Sequence, residues 1–275
     1  MRQSTFFKIG LLGVSVILFS CFVLPFFSNF DPIKNSLTER FIPPEGFSKG
    51  FSGHIFGTDA LGRDMFIRLM IGGQLSIRIS FISVILQTII SVTLGLLAGY
   101  FGGIVDIIIM RACDVLLSIP NLILSIAIIA IFGASITNLI IVLTFTGWVT
   151  LCKVIRNDVR IFKRQEFIMA SQALGARGFH IMFKQILPNA TTNMIIISSQ
   201  RIGVMILFES GLSFLNLGIL PPDPSWGNML SAGRSYLTTQ PWICLVPGIA
   251  LMLTVLSFNF MGDGIRDVLD TKRKV

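Results

Sequence analysis

Long apolar runs separated by short polar segments dominate the chain. Nineteen residues without a charge extend from Ile9 to Phe27, and 23 extend from Ile79 to Phe101. Each run is long enough for a helix to cross a hydrocarbon core of about 30 Å. The pattern therefore predicts two membrane spans here. A basic start and the segment LFSC also resemble a secretory signal, but the run continues past Cys21, so we expect an uncleaved first span.

The central apolar stretch is too long for one span. Between Asp114 and Lys153 lie 38 residues without a charge, which would form a helix about 57 Å long at ~1.5 Å per residue. Small and polar residues in GASITN, Gly133–Asn138, favour a tight turn, so we expect two spans, the first beginning near Ile104. Two later apolar runs, Thr192–Phe214 and Trp242–Met261, bring the number of predicted spans to six.

The composition agrees with a membrane protein. The 275 residues are 53% hydrophobic and 13% charged, with a mean hydropathy of +0.79, whereas soluble domains carry about 25% charged residues. The net charge of +8 is divided among clusters between the apolar runs, which argues against a nucleic-acid surface.

The basic residues also predict the orientation in the membrane. If the N-terminus is inside, the inner segments hold 14 Lys and Arg residues and the outer segments hold seven. This asymmetry predicts that both termini are cytoplasmic.

Residues for catalysis or for metal binding are not apparent in the sequence. The four cysteines are far apart without a CxxC pair, and the two histidines lie in different segments. A phosphate-binding GxxxxGK[ST] loop is missing, as is any set of nucleophile, base and orienting group. We therefore expect no catalytic residue, no metal and no cofactor bound by this chain.

A polar segment with a helical pattern, EFIMASQALGARGFHIMFKQILPN, lies between two apolar runs. Its small residues Ala170, Ser171 and Ala173 would let the backbone of another protein approach closely, and Gly175 suits a helix end. A second short helix is predicted at Arg177–Leu187, with Pro188 ending it. From these residues alone, an ordinary interfacial helix packed on its own bundle is an equal alternative.

The same segment resembles the EAA loop of type I ABC import permeases, which docks into a cleft on the ATP-binding subunit. Ala170 matches the first Ala of the motif, Gly175 its Gly, and Leu187 with Pro188 its Leu-Pro. Met169 stands where the family has Glu, and Ser171 where it has the second Ala. The resemblance implies ATPase coupling through Glu166, Phe167, Ala170, Ser171, Ala173, Leu174, Gly175, Ala176, Leu187 and Pro188.

Three further stretches are similar to the C-type permeases for dipeptides, oligopeptides and nickel: His54–Ser80, Glu209–Leu230 and Pro241–Asp270. The resemblance implies an all-α membrane protein with the six-helix, MetI-like fold of type I importers. Residues 1–78 would form the first transmembrane helix and an extracytoplasmic loop. Residues 79–275 would form a five-helix core with the coupling loop at 153–189.

The resemblance also implies partners and a location. The chain would be a multi-pass permease of the bacterial inner membrane, in contact with lipid and forming a heterodimer with a homologous permease. Two ATP-binding subunits would hold ATP and Mg²⁺, and an extracytoplasmic binding protein would deliver di/oligopeptides or nickel or metal-chelate complexes. A secondary transporter or channel and a membrane-embedded enzyme are the rivals, disfavoured by few intramembrane ionisable groups, no internal repeats and no catalytic set.

Two outer loops contain residues with several interpretations. GTDALGRD combines glycines that permit tight turns with charges that can pair with one another, so it either shapes the outer mouth or contacts the binding protein. PPDPSW is stiff, and its tryptophan is expected to be a membrane-interface anchor or part of a lid. The candidate residues are Gly57, Thr58, Asp59, Gly62, Arg63, Asp64, Pro222 and Trp226.

Two charged residues, Arg201 and Glu209, fall within or near the fifth span, where a charge is costly and usually faces protein or water. They are eight residues apart, about 12 Å along a helix, so each needs its own partner. Both are candidates for the pathway or a subunit interface, with pathway lining one interpretation of Arg201 and pairing with the partner permease the expectation for Glu209.

Overall fold

The computed structural model describes residues 5–28, 31–46, 50 and 53–271, and most of them are helical. Apart from an isolated bridge between Thr58 and Asp64, the described residues contain no extended pairing. The helices are α1 Thr5–Phe22, α2 Met65–Phe101, α3 Gly103–Ser118, α4 Asn121–Phe132, α5 Ile136–Gly147, α6 Val149–Lys163, α7 Glu166–Ala173, α8 Gly178–His180, α9 Leu187–Phe214, α10 Trp226–Gly233 and α11 Trp242–Thr271.

Four helices of the described chain are long and apolar enough to cross a membrane: α1, α2, the helical run Gly178–Phe214 and α11. Two bent pairs provide up to two more spans. The axes of α3 and α4 differ by 89°, and those of α5 and α6 by 40°. Four of the six predicted spans are therefore continuous helices, and the other two correspond to the bent pairs when each pair is counted as one span.

Local sequence explains the turn between the two central spans and the break within the first of them. The predicted turn after α4 is present, with Gly133 at φ +84° and the Ser135 side chain accepting from the Asn138 amide to cap α5. The break within the first of these spans, between α3 and α4, was not predicted. Ile119 is extended at φ −108° and ψ 127°, as expected for a residue that precedes a proline, and Pro120 then starts α4.

Helix α2 starts earlier than the sequence predicted. It begins at Met65 instead of Ile79 because the Asp64 side chain caps it by accepting from the Ile67 amide at 2.9 Å. Its extra turns contain Arg68, which is buried beside Asp59. The span therefore extends beyond its charge-free run, and the proposed division at residue 78 falls inside this helix.

Pro188 does not end a helix, and this corrects the sequence-based prediction. The run Gly178–Phe214 is continuous, with a π-helical turn at Ile181–Ile186 directly before the proline, which occupies the first turn of α9. A π turn changes the hydrogen-bond register, and the first turn of a helix needs no amide donor at the proline position. The predicted coupling segment thus continues directly into the span.

Helix α2 lies at the centre of the packing, in contact with α1, α3, α5, α6 and α9, while α11 packs on α1, α9 and α10. The larger core cluster joins α2, α5, α9 and α11. A separate cluster connects the end of α2 to α6, α7 and the π turn, and it includes Leu96, Ile155, Val159, Ile168, Ile181 and Ile186.

Glycines on α2 allow α6 to approach closely. A Cβ atom added at Gly99 would lie 2.6 Å from Val159 Cβ and 2.8 Å from the Arg156 carbonyl oxygen, and one at Gly95 would meet Ile155 in the same way. Gly102 behaves differently. An added Cβ there would meet nothing within 4 Å, and its φ of +66° instead allows the turn from α2 into α3.

Ion pairs join α3 to α6. The Asp106 carboxylate accepts from Arg156 at both oxygens and from Arg160 Nη2 at 2.6 Å. Lys153 Nζ lies 2.9 Å from an Asp114 carboxylate oxygen. The Asp106 side chain is 10% exposed, whereas that of Asp114 is 56% exposed, so the first pair is more shielded from solvent.

We expect Gly99→Ala to destabilise the protein by about 1–3 kcal/mol, because the methyl group overpacks the contact between α2 and α6. The measurement is the thermal unfolding midpoint in detergent. Gly211→Ala is the control, since an added Cβ there meets nothing within 4 Å. Equal midpoints for the two variants would contradict the packing described here.

We expect Asp106→Asn to destabilise the protein by about 1–3 kcal/mol, because it leaves two guanidinium groups without their carboxylate in a partly buried site. Asp114→Asn should have a smaller effect because its ion pair is more exposed. Both are measured as unfolding midpoints at low and high salt. If Asp114→Asn lowers the unfolding midpoint as much as Asp106→Asn does, the difference in burial between the two ion pairs has no effect on stability.

Candidate functional site

The short helix α7 is held to the bundle by one buried side chain. The chain turns sharply after α6, with the Gln165 amide donating to the Phe162 carbonyl at 2.9 Å. Ile168 then points into the cluster with Ile155 and Ile181 and has 0% exposure. Because α7 has only eight residues, this anchor orients the remaining side chains outward.

The outward face of α7 exposes apolar side chains. Phe167 is 49% exposed, Met169 52% and Leu174 89%. Clustered exposed apolar residues mark contact surfaces. Among the predicted coupling residues, Glu166, Phe167, Ala170, Ala173, Leu174, Gly175 and Pro188 are exposed, while Ser171, Ala176 and Leu187 are half-buried.

Gly175 ends α7 as the sequence predicted. Its φ is +84°, in the left-handed region that glycine adopts without a steric penalty. The Gly175 amide donates to the Gln172 carbonyl at 2.9 Å, and the Ala176 amide donates to the Ser171 carbonyl at 3.1 Å. These two bonds form a Schellman motif, so the end of the helix is well defined.

The segment after Gly175 is tied to α7 and to the end of α2. Gln185 Nε2 donates to Ser171 Oγ at 2.7 Å. A Cβ added at Gly178 would lie 3.0 Å from the Tyr100 ring. Lys163 Nζ donates to the Tyr100 carbonyl at 2.6 Å and lies 5.0 Å from the centre of its ring. The loop is therefore braced on both sides.

Two aromatic residues extend the exposed surface and were not assigned to it from the sequence. Phe179 and Phe183 are 64% and 51% exposed, and their rings stack with centroids 6.4 Å apart and an interplanar angle of 3°. Ile181 and Ile186, in the same segment, are instead buried. The i, i+4 spacing of the two phenylalanines was the available signal, since it places both on one side of a helix.

The outer GTDALGRD loop is folded by its own charges. Arg63 Nε lies 2.7 Å from an Asp59 carboxylate oxygen, which confirms the predicted internal pairing. Asp64 instead pairs with His54 Nδ1 at 2.8 Å and caps α2. Gly57 and Gly62 have φ values of +76° and +73°. Thr58 is fully buried, and contact of this loop with a binding protein stays a prediction.

Trp226 is buried inside the bundle, so its side chain has no free surface with which to act as the expected membrane-interface anchor. Its side chain is 1% exposed, and Nε1 donates to the Leu69 carbonyl at 2.9 Å. Ser225 and Asn228 form a capping box at the start of α10, which fixes the indole in the core. Pro222 lies in the exposed part of the same loop, and a lid role for that loop stays a prediction.

Glu209 does not face another subunit, which corrects its predicted pairing with a partner permease. The residue is 0% exposed. Its carboxyl group accepts from Ser213 Oγ at 2.7 Å and from Ser210 Oγ at 3.4 Å, both on its own helix. A glycine on α10, Gly227, lets that helix approach the Ser210 carbonyl.

Arg201 lines a cavity of about 470 Å³ between α4, α5, α9 and α11. Its Nη1 donates to Gln87 Oε1 at 3.0 Å and to the Gly147 carbonyl. The geometry agrees with the expected pathway position, and the pathway role itself stays a prediction. Arg201 and Glu209, which the sequence places in one span, therefore have different surroundings in the structure.

Comparison with known proteins assigns the chain to a family. Residues 91–275 match the family described as "Binding-protein-dependent transport system inner membrane component". The glutathione transport system permease protein GsiD of Pectobacterium atrosepticum is 40% identical over 81% of this chain and 74% of its own length.

Two peptide permeases match nearly the whole chain. The dipeptide transport system permease protein DppC of Alkalihalophilus pseudofirmus is 39% identical over 97% of this chain and 87% of its own length. The oligopeptide transport system permease protein OppC of Bacillus subtilis is 35% identical over 98% of this chain and 87% of its own length.

The fold agrees with a solved transporter. A chain from inward-facing conformations of the MetNI methionine ABC transporter superposes with a TM-score of 0.58 at 19% identity, over 74% of this chain and 97% of that one. This likeness shows the fold alone, and it confirms the MetI-like architecture. The chain therefore belongs to the family of binding-protein-dependent transport system inner membrane components, as a membrane permease of an ABC importer and not its ATPase.

Proposed function

We propose that this permease imports short peptides and that the exposed surface of α7 and the stacked phenylalanines couples it to ATP-binding subunits. The observation that carries the coupling role is that α7 is anchored on one side and exposes apolar side chains elsewhere. Ile168 is buried, while Leu174 at the end of the helix is 89% exposed. A side chain as apolar as leucine gains most by entering a partner's cleft.

The peptide substrate is supported by the relatives. Those compared above are named for dipeptides, oligopeptides and glutathione, which is itself a tripeptide. A nickel or metal-chelate substrate rests on the sequence resemblance alone. The whole system would comprise a second, homologous permease, two ATP-binding subunits and an extracytoplasmic substrate-binding protein.

The coupling surface is connected to the span that carries Arg201. The braced segment after α7 continues without a break into Gly178–Phe214. Movement of the ATP-binding subunits would therefore displace α9 as a rigid body, and such displacements are a common basis for switching between two states. We place ATP and Mg²⁺ on the partner subunits, and this chain would bind neither.

We expect Gly175→Leu to reduce peptide uptake at least tenfold and to weaken co-purification of the ATP-binding subunits, while the protein still inserts. A side chain at φ +84° costs about 1–2 kcal/mol, and it would also project from the coupling surface. Uptake, ATPase activity and subunit recovery are measured on the same membranes.

Gly133→Leu is the matched control for the coupling test. Gly133 has the same φ of +84°, and as at Gly175 an added Cβ meets nothing within 4 Å. It lies between α4 and α5, away from α7. If both variants lose subunit binding equally, backbone strain explains the loss. If Gly175→Leu keeps uptake intact, the coupling surface is elsewhere.

A further inference from the structure

Arg201 lies at the middle of a membrane span. It is 14 residues from the start of α9 and 13 from its end, or about 20 Å from each end at ~1.5 Å per residue. A cation at this depth is costly, and it usually marks a pathway or a partner. The surroundings of its guanidinium group therefore need an explanation.

The protein satisfies only one edge of this guanidinium group. Nη1 donates to Gln87 and to the Gly147 carbonyl, and no other guanidinium nitrogen has an acceptor in the described part of the chain. Gln87 cannot turn away, because its Nε2 is engaged with the Leu143 carbonyl at 2.9 Å. The neutral acceptors orient Arg201 and leave its positive charge uncompensated.

The cavity next to Arg201 has room for a small molecule. Its volume of about 470 Å³ is within the ~300–1,000 Å³ range of ligand sites. Its wall alternates polar groups, such as Thr146 and Asn259, with apolar ones, such as Val204 and Phe208. Asp263, the acidic residue on this wall, accepts from Gln200 Nε2 at 2.9 Å instead of pairing with Arg201.

We propose that the free guanidinium nitrogens of Arg201 bind the carboxylate of the transported molecule while it occupies this cavity. A guanidinium group matches a carboxylate through two parallel hydrogen bonds, and a short peptide carries that group at its C-terminus. The inference rests on the proposed function and adds a substrate-binding site within this chain. The binding protein would then be one of two places where the substrate is selected.

The test compares a short alanine peptide with a free C-terminal carboxylate and its C-terminal amide, using the complete transporter in proteoliposomes. Arg201→Gln should lower uptake of the free acid roughly tenfold or more and uptake of the amide less than about twofold. Arg201→Lys keeps the charge without the two-pronged geometry, so it should give an intermediate ratio. Arg78→Gln is the control, since Arg78 is an exposed cation on α2 and does not line the cavity.

A second measurement covers the case in which the binding protein rejects the amide. Val204→Cys places a thiol in the wall of the cavity, and its labelling by a maleimide is followed in the complex without binding protein. When Arg201 is present, the free-acid peptide should slow labelling at least about threefold. When Val204→Cys is combined with Arg201→Gln, the same peptide should not slow labelling. The amide should not slow it in either background.

The outcomes separate this inference from the proposed function. If the wild type imports peptides but Arg201→Gln lowers acid and amide in parallel, the carboxylate site is wrong and the peptide permease stands. If Arg201→Gln loses the second permease on purification while Arg78→Gln keeps it, Arg201 binds an acid of the neighbouring subunit, and the carboxylate site is again wrong. If the wild type imports no peptide, both proposals fail.

Discussion

Backbone carbonyl groups at the break between α5 and α6 must be satisfied inside the bundle, because the hydrocarbon core supplies no water to do so. Side chains of α2 and α9 donate to carbonyl groups on both sides of the break, and the Trp148 carbonyl also accepts from the Cys152 amide at 3.1 Å. Gln87 donates to the Leu143 carbonyl, Ser91 donates to the Trp148 carbonyl at 2.6 Å, and Arg201 donates to the Gly147 carbonyl. The broken span is thereby fastened to α2 and to α9, of which α9 also lines the cavity, and the rest of the core packs around this junction.

The same junction explains why Arg201 is tolerated at mid-span. Its cost is reduced by oriented acceptors that the helix break exposes, since the last carbonyl groups of a helix have no partner within that helix. Gly147 is needed there because a Cβ atom would collide with the Gln87 amide. The break, the glycine and the two polar side chains form one unit, and they leave the outward edge of the guanidinium group facing the cavity.

Helix α9 connects the proposed sites mechanically. At one end, the braced coupling segment continues into it through a π turn. At the other end, Glu209 and Ser213 hold it to the loop before α10, where Ser213 Oγ accepts from the Ile219 amide at 3.1 Å. Arg201 lies between these ends, so displacement of the coupling surface would change the position of the cation relative to α4 and α5.

The four continuous spans, the turn after α4 and the glycine end of α7 could be predicted from the sequence, because each depends on local composition or backbone sterics. The lengths of the helices could not, since Asp64 extends α2 through a cap and the π turn carries the helix past Pro188. The burial or exposure of polar and aromatic side chains also could not be predicted, because it depends on contacts between residues far apart in the sequence. Trp226 and Glu209 are buried because helices and loops distant along the chain cover them, whereas Phe179 and Phe183 remain exposed. Sequence periodicity marks which residues share a face of a helix, but only the tertiary packing decides which face another helix covers.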